Sequence, residues 1–166
     1  MPQPAQSHIP PGAHSITLHL CFSGNAKEAL EFYQRAFGAR LIGRAMMGHD
    51  DKSVMHAMLA IGDSQFAVAD GWPSHGRQGP SGHTTASVWL YVPDCDAAFN
   101  KARAAGCLEL MALHDAFWGD RFGSVIDPFG HHWTFATNKF VLTDEELGAA
   151  QKAFLQRMAA QREWMD

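Results

Sequence analysis

Ten histidines are spread over the 166 residues, and two of them stand where they could do chemistry together. His19 lies inside Ser15-Ile16-Thr17-Leu18-His19-Leu20-Cys21-Phe22, an apolar run that reads as a strand. His56 alternates with Met58 and Ala60, so these three share one strand face. An imidazole titrates near neutrality and can serve as a base, a metal ligand or a hydrogen-bonding partner. His19 and His56 are therefore candidate catalytic or ligand-binding groups, with Met58 beside them. The plain alternative for each is a hydrogen-bonded histidine of the core. His131 and His132 are adjacent, so on a strand they point to opposite faces and do not easily share one ion.

A second group is aromatic. Trp89 sits in the strand-like run Ala86-Ser87-Val88-Trp89-Leu90-Tyr91-Val92. The sharpest motif is Phe117-Trp118-Gly119-Asp120-Arg121-Phe122-Gly123. Its first glycine permits a tight loop, and Asp120 can pair with Arg121 or cap backbone amides. Trp118 at the lip of a pocket could stack on a ligand, and Arg121 could attract an anionic group. The plain reading is a turn that pins two strands, with Phe117 and Phe122 in the core.

Other chemistry is not signalled. There is no GxSxG, P-loop, HExxH or helix-opening GxGxxG. Three cysteines without a CxxC pair support neither a disulfide framework nor a zinc ribbon, and Cys21 reads as a small core residue. Lys plus Arg is 13 against 17 for Asp plus Glu, and without a basic stripe no nucleic-acid partner is expected. No apolar run approaches the roughly 18 to 20 residues that span a bilayer, so no membrane partner is expected either. The start, MPQPAQSHIPPGAH, lacks a basic opening and an apolar centre, which argues against a secretory signal and for a cytoplasmic protein.

These groups must be positioned by regular elements, and 46% hydrophobic residues are enough to build a core. Residues 1–13 read as a flexible tail. After the first strand, Asn25 with Glu28 gives a capping-box helix start, and Ala29, Phe32, Tyr33, Ala36 and Phe37 recur at helical spacing up to Gly38. Strands follow at 39–48, 53–61 and 65–69. Residues 71–84 hold four glycines and two prolines and read as a mobile linker, or a lid, with His75 and His83 solvated. The order then restarts: a strand at 86–92, a helix capped by Asp94 or Asp96 and closed by Gly106, and strands near 107–114, 121–126 and 131–136. Thr143-Asp144-Glu145-Glu146 opens a last helix within 141–166, with Leu147, Ala150, Phe154 and Met158 on one face for packing or for a dimer contact. The whole is α+β: two βαβββ modules, about 14–70 and 85–138, forming a curved paired sheet around a central cavity, plus a C-terminal helix. Setting Phe22 against Val92 makes His19 and Trp89 equivalent positions of the two modules.

Three stretches carry a resemblance: Gly24-Asn25-Ala26-Lys27-Glu28-Ala29-Leu30-Glu31-Phe32-Tyr33 with Phe37-Gly38; Val54-Met55-His56-Ala57 with Ile61-Gly62-Asp63-Ser64; and Phe117 to Gly123 through Asp127-Pro128-Phe129-Gly130-His131 with Trp133 and Ala136-Thr137. Over roughly residues 14–140 the chain resembles the vicinal oxygen chelate superfamily of glyoxalases, bleomycin-resistance proteins and extradiol dioxygenases, and within it the PhnB-like branch. The resemblance implies a divalent metal held by four ligands, one pair per module, on the first and last strands of each. Carried over residue by residue, those positions fall on His19, on Ala67 or Ala69, on Ser87 or Trp89, and on Thr134. At most one of four is a ligand type, so no catalytic metal and no other cofactor is expected. The branch also tends to carry histidine at Trp89, an acidic residue at Met58 and histidine at Asn138, and each replacement makes the hollow drier.

The resulting expectation is a homodimeric small-molecule binding protein of the bleomycin-resistance kind. It would take a largely aromatic compound through His19, His56, Met58, Trp89, Trp118, Arg121 and Thr134. The alternative is a lyase, isomerase or dioxygenase of the glyoxalase kind with a divalent metal around His19 and His56. A metal-free enzyme using His19 or His56 as general base lies between them.

Overall fold

The computed structural model describes residues 3–49, 51–72, 74 and 76–162, the last two by backbone alone. His75 lies outside the described residues, and His83 is exposed as expected. The chain runs β1 (Leu18–Phe22), α1 (Ala26–Phe37), β2 (Arg40–Met47), β3 (Val54–Ile61) and β4 (Ser64–Asp70). It then repeats the order with β5 (Ser87–Tyr91), α2 (Cys95–Ala104), β6 (Leu108–Asp115), β7 (Asp120–Ile126) and β8 (His132–Asn138), and ends in α3 (Asp144–Arg162). The fold is α+β, two βαβββ modules and a C-terminal helix. It divides into two compact units, Met1–Thr85 with Pro128–His131, and Ala86–Asp127 with His132–Asp166.

In the first unit the sheet order is β1-β4-β3-β2. β1 runs parallel to β4, because α1 carries the chain across, and the other pairs are antiparallel. Alternation sends Leu20 and Phe22, Phe66 and Val68, and Ala57 and Leu59 to the face that α1 covers, and all six are buried. The helix meets them with Phe32, Tyr33 and Ala36. Tyr33 packs edge-on against Phe22, Phe66 and Phe129. The helix starts where Asn25 and Glu28 place it, but Asn25 makes no side-chain cap. Asp70, from the end of β4, accepts instead from the amides of Gly24 (2.8 Å), Ala26 (3.0 Å) and Val54 (2.7 Å). A buried carboxylate reaching three amides outcompetes a neutral amide at the surface. Gly38 ends α1 in the left-handed conformation, as its position requires.

The linker residues that are described belong to this unit and are tied to it. The Gly71 amide donates to the Phe22 carbonyl at 2.6 Å, and the Gly79 amide to Ser23 Oγ at 3.1 Å. His131 precedes its strand rather than sitting in it. Its ring packs on Phe22 at 4.8 Å, and its Nε2 lies 3.1 Å from the Cys21 carbonyl.

The second unit repeats the sheet order as β5-β8-β7-β6. Here Thr137 does what Asp70 does above: its hydroxyl accepts from the first amide of α2, Cys95 N, at 2.9 Å. Asp94 adds a conventional cap to Ala97 N. Phe99 of α2 lies flat on the sheet where Gly123 offers no side chain; a Cβ there would come within 2.9 Å of its ring. The buried Trp133 indole donates to Asp127 Oδ2 at 2.9 Å. Helix α3 opens with the expected capping box, Thr143 N donating to Glu146 Oε2 (2.8 Å) and Glu146 N to Thr143 Oγ1 (3.3 Å). It touches the sheet layer through Phe154, whose ring lies 5.1 Å from Phe117. No helix of the described residues is long and apolar enough to cross a membrane.

Candidate functional site

Each sheet has one face covered by its helix and one facing away from it. Register decides which side chains lie on the second face. In the first unit His19 pairs with Ala67, and Ala67 with Met58, so His19, Ala67 and Met58 form one row across β1, β4 and β3. His56, two residues before Met58, joins the same face. The two imidazoles meet edge to face with ring centroids 6.4 Å apart. Partial burial, then the Arg77 guanidinium, then His56, hold the His19 imidazole below its ordinary pKa. His19 is therefore neutral at pH 7 and can accept a proton or a hydrogen bond.

In the second unit Trp89 pairs with Thr134, and Thr134 with Ser124. The Thr134 and Ser124 hydroxyls are buried and hydrogen-bonded to each other at 2.8 Å. One step along, Tyr91 and Phe122 flank Ala136. The outcome is an aromatic wall. Phe122 is the centre of it, with Trp89 at 4.9 Å, Trp118 stacked at 5.4 Å and His114 at 4.3 Å. Trp89 is 41% and Trp118 38% exposed, so both rings present area to solvent while Phe122 is buried beneath them.

The motif around Trp118 makes a different use of almost every residue. Residues 116–119 form the turn between β6 and β7, closed by Ala116 N to the Asp120 carbonyl at 2.7 Å. Gly119 takes a positive φ of 100°, and a Cβ there would collide with the Phe140 carbonyl. Phe117 turns to α3 and Trp118 to the wall. Asp120 neither pairs with Arg121 nor caps a backbone amide with its side chain. Its carboxylate is buried and accepts from Tyr91 Oη (2.9 Å), Trp118 Nε1 (3.1 Å) and Asn138 Nδ2 (2.9 Å). Arg121, one residue on, lies on the opposite face of β7. There it grips Asp96 of α2 through Nε and Nη2, both at 2.7 Å, and reaches Asp115 at 3.2 Å. These partners raise its pKa and lower that of Asp96, and they leave it tying sheet to helix, away from Trp118.

The structure thus gathers the sequence-predicted residues into two sets. His19, His56 and Met58 share one face in the first unit; Trp89, Trp118 and Thr134 share one in the second; Arg121 joins neither. Sequence reasoning passed over Tyr91, His114 and the hub role of Asp120. Tyr91 was recoverable, standing two residues from Trp89 on a strand. Asp120 was not, because its donors lie at distant positions in the chain.

Beside the wall, the second unit has a half-open cavity of ≈ 610 Å³ between the β6–β7 hairpin and α3. Trp118 and Phe122 line it together with Phe154 and Met158. Two of the three cysteines are shielded: burial, with Asp127 near it, pushes the Cys107 thiol up to about 12, and Cys95 is buried. Cys21, expected in the core, is instead half-buried, because alternation along β1 sends Leu20 and Phe22 to α1 and leaves Cys21 on the His19 face. As for a metal, two imidazoles without a carboxylate hold a divalent ion poorly. Among the described residues no group of three or more His, Cys, Asp or Glu could hold one.

The family follows from comparison with known proteins. Residues 15–135 match the Glyoxalase/Bleomycin resistance protein/Dioxygenase superfamily. The chain belongs to that superfamily. Among its relatives, an uncharacterised protein of Mycobacterium tuberculosis (strain H37Rv) is 37% identical over 134 residues, which are 78% of each chain. Protein YjdN of Escherichia coli is 31% identical, covering 71% of this chain and 91% of its own. Among solved structures, TioX from Micromonospora sp. is 26% identical, with a TM-score of 0.57 over 78% of this chain and all of TioX. A PhnB protein from Bacillus cereus shares the fold at a TM-score of 0.59, with 22% identity over 75% of this chain and 99% of its own. The superfamily fold read from the three sequence stretches is therefore the fold of this chain.

Proposed function

We propose that this superfamily member is a small-molecule binding protein that takes a largely aromatic compound, without chemistry at a metal. The observation that supports it is the aromatic wall of Trp89, Tyr91, Trp118 and Phe122. Two of its members are tied to one buried carboxylate, and two tryptophans are partly exposed to solvent. Planar rings held in fixed positions bind planar guests by stacking and lose little freedom in doing so.

The test is a fluorescence titration of the full chain against a panel of planar aromatic compounds. At least one compound binds, and Trp89→Ala weakens it by roughly fivefold or more, the worth of one aromatic contact. A panel with no binder, or binders indifferent to both Trp89→Ala and Trp118→Ala, overturns the reading. A second reading has one observation in its favour, the neutral His19 beside His56. About one transition metal per subunit in protein purified without added ions, lost in His19→Ala, would establish it and remove the first.

A further inference from the structure

The cavity beside the wall says more about the guest, granted the binding reading above. Its ≈ 610 Å³ falls within the range of sites for small organic ligands. Its lining is mostly apolar, Met111, Phe117, Trp118, Phe122, Phe154 and Met158, so the body of a ligand there must be apolar or aromatic. The polar groups decide what else it carries. His114 has its Nδ1 2.9 Å from the Ala112 carbonyl. Asp115 accepts from Arg121 at 3.2 Å and shares that guanidinium with Asp96, its exposed side chain facing water. The third polar lining residue is Arg157 of α3, which has no ion-pair partner among the described residues.

A guanidinium at the edge of an apolar hollow attracts an anion more strongly than one in open water, because the surroundings screen it less. Its planar fork matches a carboxylate with two parallel hydrogen bonds. Arg121, the cation nearest to Trp118 in sequence, is held by Asp96 on the other face of the strand and leaves this role open. The geometry points to a planar aromatic carboxylate as the ligand class, its ring among Trp118, Phe122 and Phe154 and its carboxylate on Arg157. The terminal helix then serves as a wall of the site and supplies its charge selectivity.

Calorimetric titration of the full chain with 1-naphthoate and with its neutral analogue 1-naphthalenemethanol tests this. Wild type prefers the carboxylate by about tenfold, the worth of one charge-assisted hydrogen bond. Arg157→Gln removes the preference and leaves the alcohol unchanged, and Arg157→Lys keeps part of it. Phe154→Ala weakens both probes alike. Equal binding of the two probes by wild type, or a preference that survives Arg157→Gln, overturns the anion assignment while leaving the aromatic reading intact. Binding of neither probe overturns the assignment, and the aromatic reading falls with it only if the wider panel also yields no binder.

Discussion

The Tyr91 hydroxyl donates to Asp120 Oδ2 across 2.9 Å, joining β5 to the start of β7 on the face away from α2. The same oxygen accepts from the Trp118 indole, and the other oxygen from Asn138. A carboxylate that is only 4% exposed needs such donors in place of water. Because two of the donors are aromatic side chains, solvating the charge also fixes two rings of the wall. The bond to Asp120 is the main reason the Tyr91 phenol is raised above its ordinary pKa, so it stays protonated and donating through the neutral range.

Asp120→Ala should therefore cost about 2 to 3 kcal/mol in urea unfolding, the penalty for leaving several part-buried donors unpaired. Asp120→Asn should cost less, since an amide oxygen still accepts from one or two of them. The emission of Trp118 should shift in both variants. A loss under about 0.5 kcal/mol for Asp120→Ala would mean that packing alone orders the wall.

Asp70 makes the same kind of prediction in the first unit. Its carboxylate takes three amides, at Gly24, Ala26 and Val54, where an ordinary helix cap takes one. Asp70→Ala should destabilise by about 3 kcal/mol, a lost cap plus orphaned buried amides. Asn25→Ala, by contrast, should cost under about 0.5 kcal/mol, because Asn25 only accepts from the Ser23 amide at 3.3 Å. The reverse ranking in thermal unfolding would restore the capping role to Asn25.

The contrast between these residues marks how far the sequence could be read. Element order, the strand faces of His19, His56 and Trp89, and the Thr143–Glu146 cap are local, set by alternation and short spacings. They were legible, and so was the superfamily. What escaped is what long-range pairing decides. Asp70 caps a helix 44 residues away from it in sequence, and Asp120 gathers donors from β5, its own turn and β8. Arg121 and Phe122 are neighbours whose roles are split by strand alternation. Arg121, expected to attract an anionic group beside Trp118, therefore meets Asp96 on the opposite face of the strand.

His19 gives a titration that can be followed directly. Its folded pKa lies below the ordinary value of 6.5, through burial first, then Arg77, then His56. The folded state thus binds fewer protons than the unfolded one as the pH nears that value. The resulting contribution to stability is present above pH 6.5 and is lost as the pH falls through the folded pKa. Proton NMR should place the His19 midpoint below 6.5, and Arg77→Gln should move it upward. A midpoint at or above 6.5, unmoved by Arg77→Gln, would show that neither burial nor Arg77 reaches the ring.

The last prediction concerns the helix that walls the cavity. Glu146 has its pKa lowered by the backbone amide of Thr143 first and by the Thr143 hydroxyl second, so the cap is strongest when Glu146 is ionised. Its contribution is present above the ordinary carboxylate pKa and fades as the pH drops through the lowered one. Thr143→Ala should remove about 1 kcal/mol of protection from the first turn of α3. Amide exchange at Leu147 and Ala150 should then speed up about fivefold at pH 7, a difference that narrows in part in acid, where wild type weakens its bonds to the Glu146 carboxylate but keeps the Glu146 N to Thr143 Oγ1 bond. Because Phe154 lies on that helix against Phe117, the variant should also weaken any ligand lodged in the cavity. Unchanged exchange in Thr143→Ala would show that α3 is held by its packing on Phe117 and not by its cap.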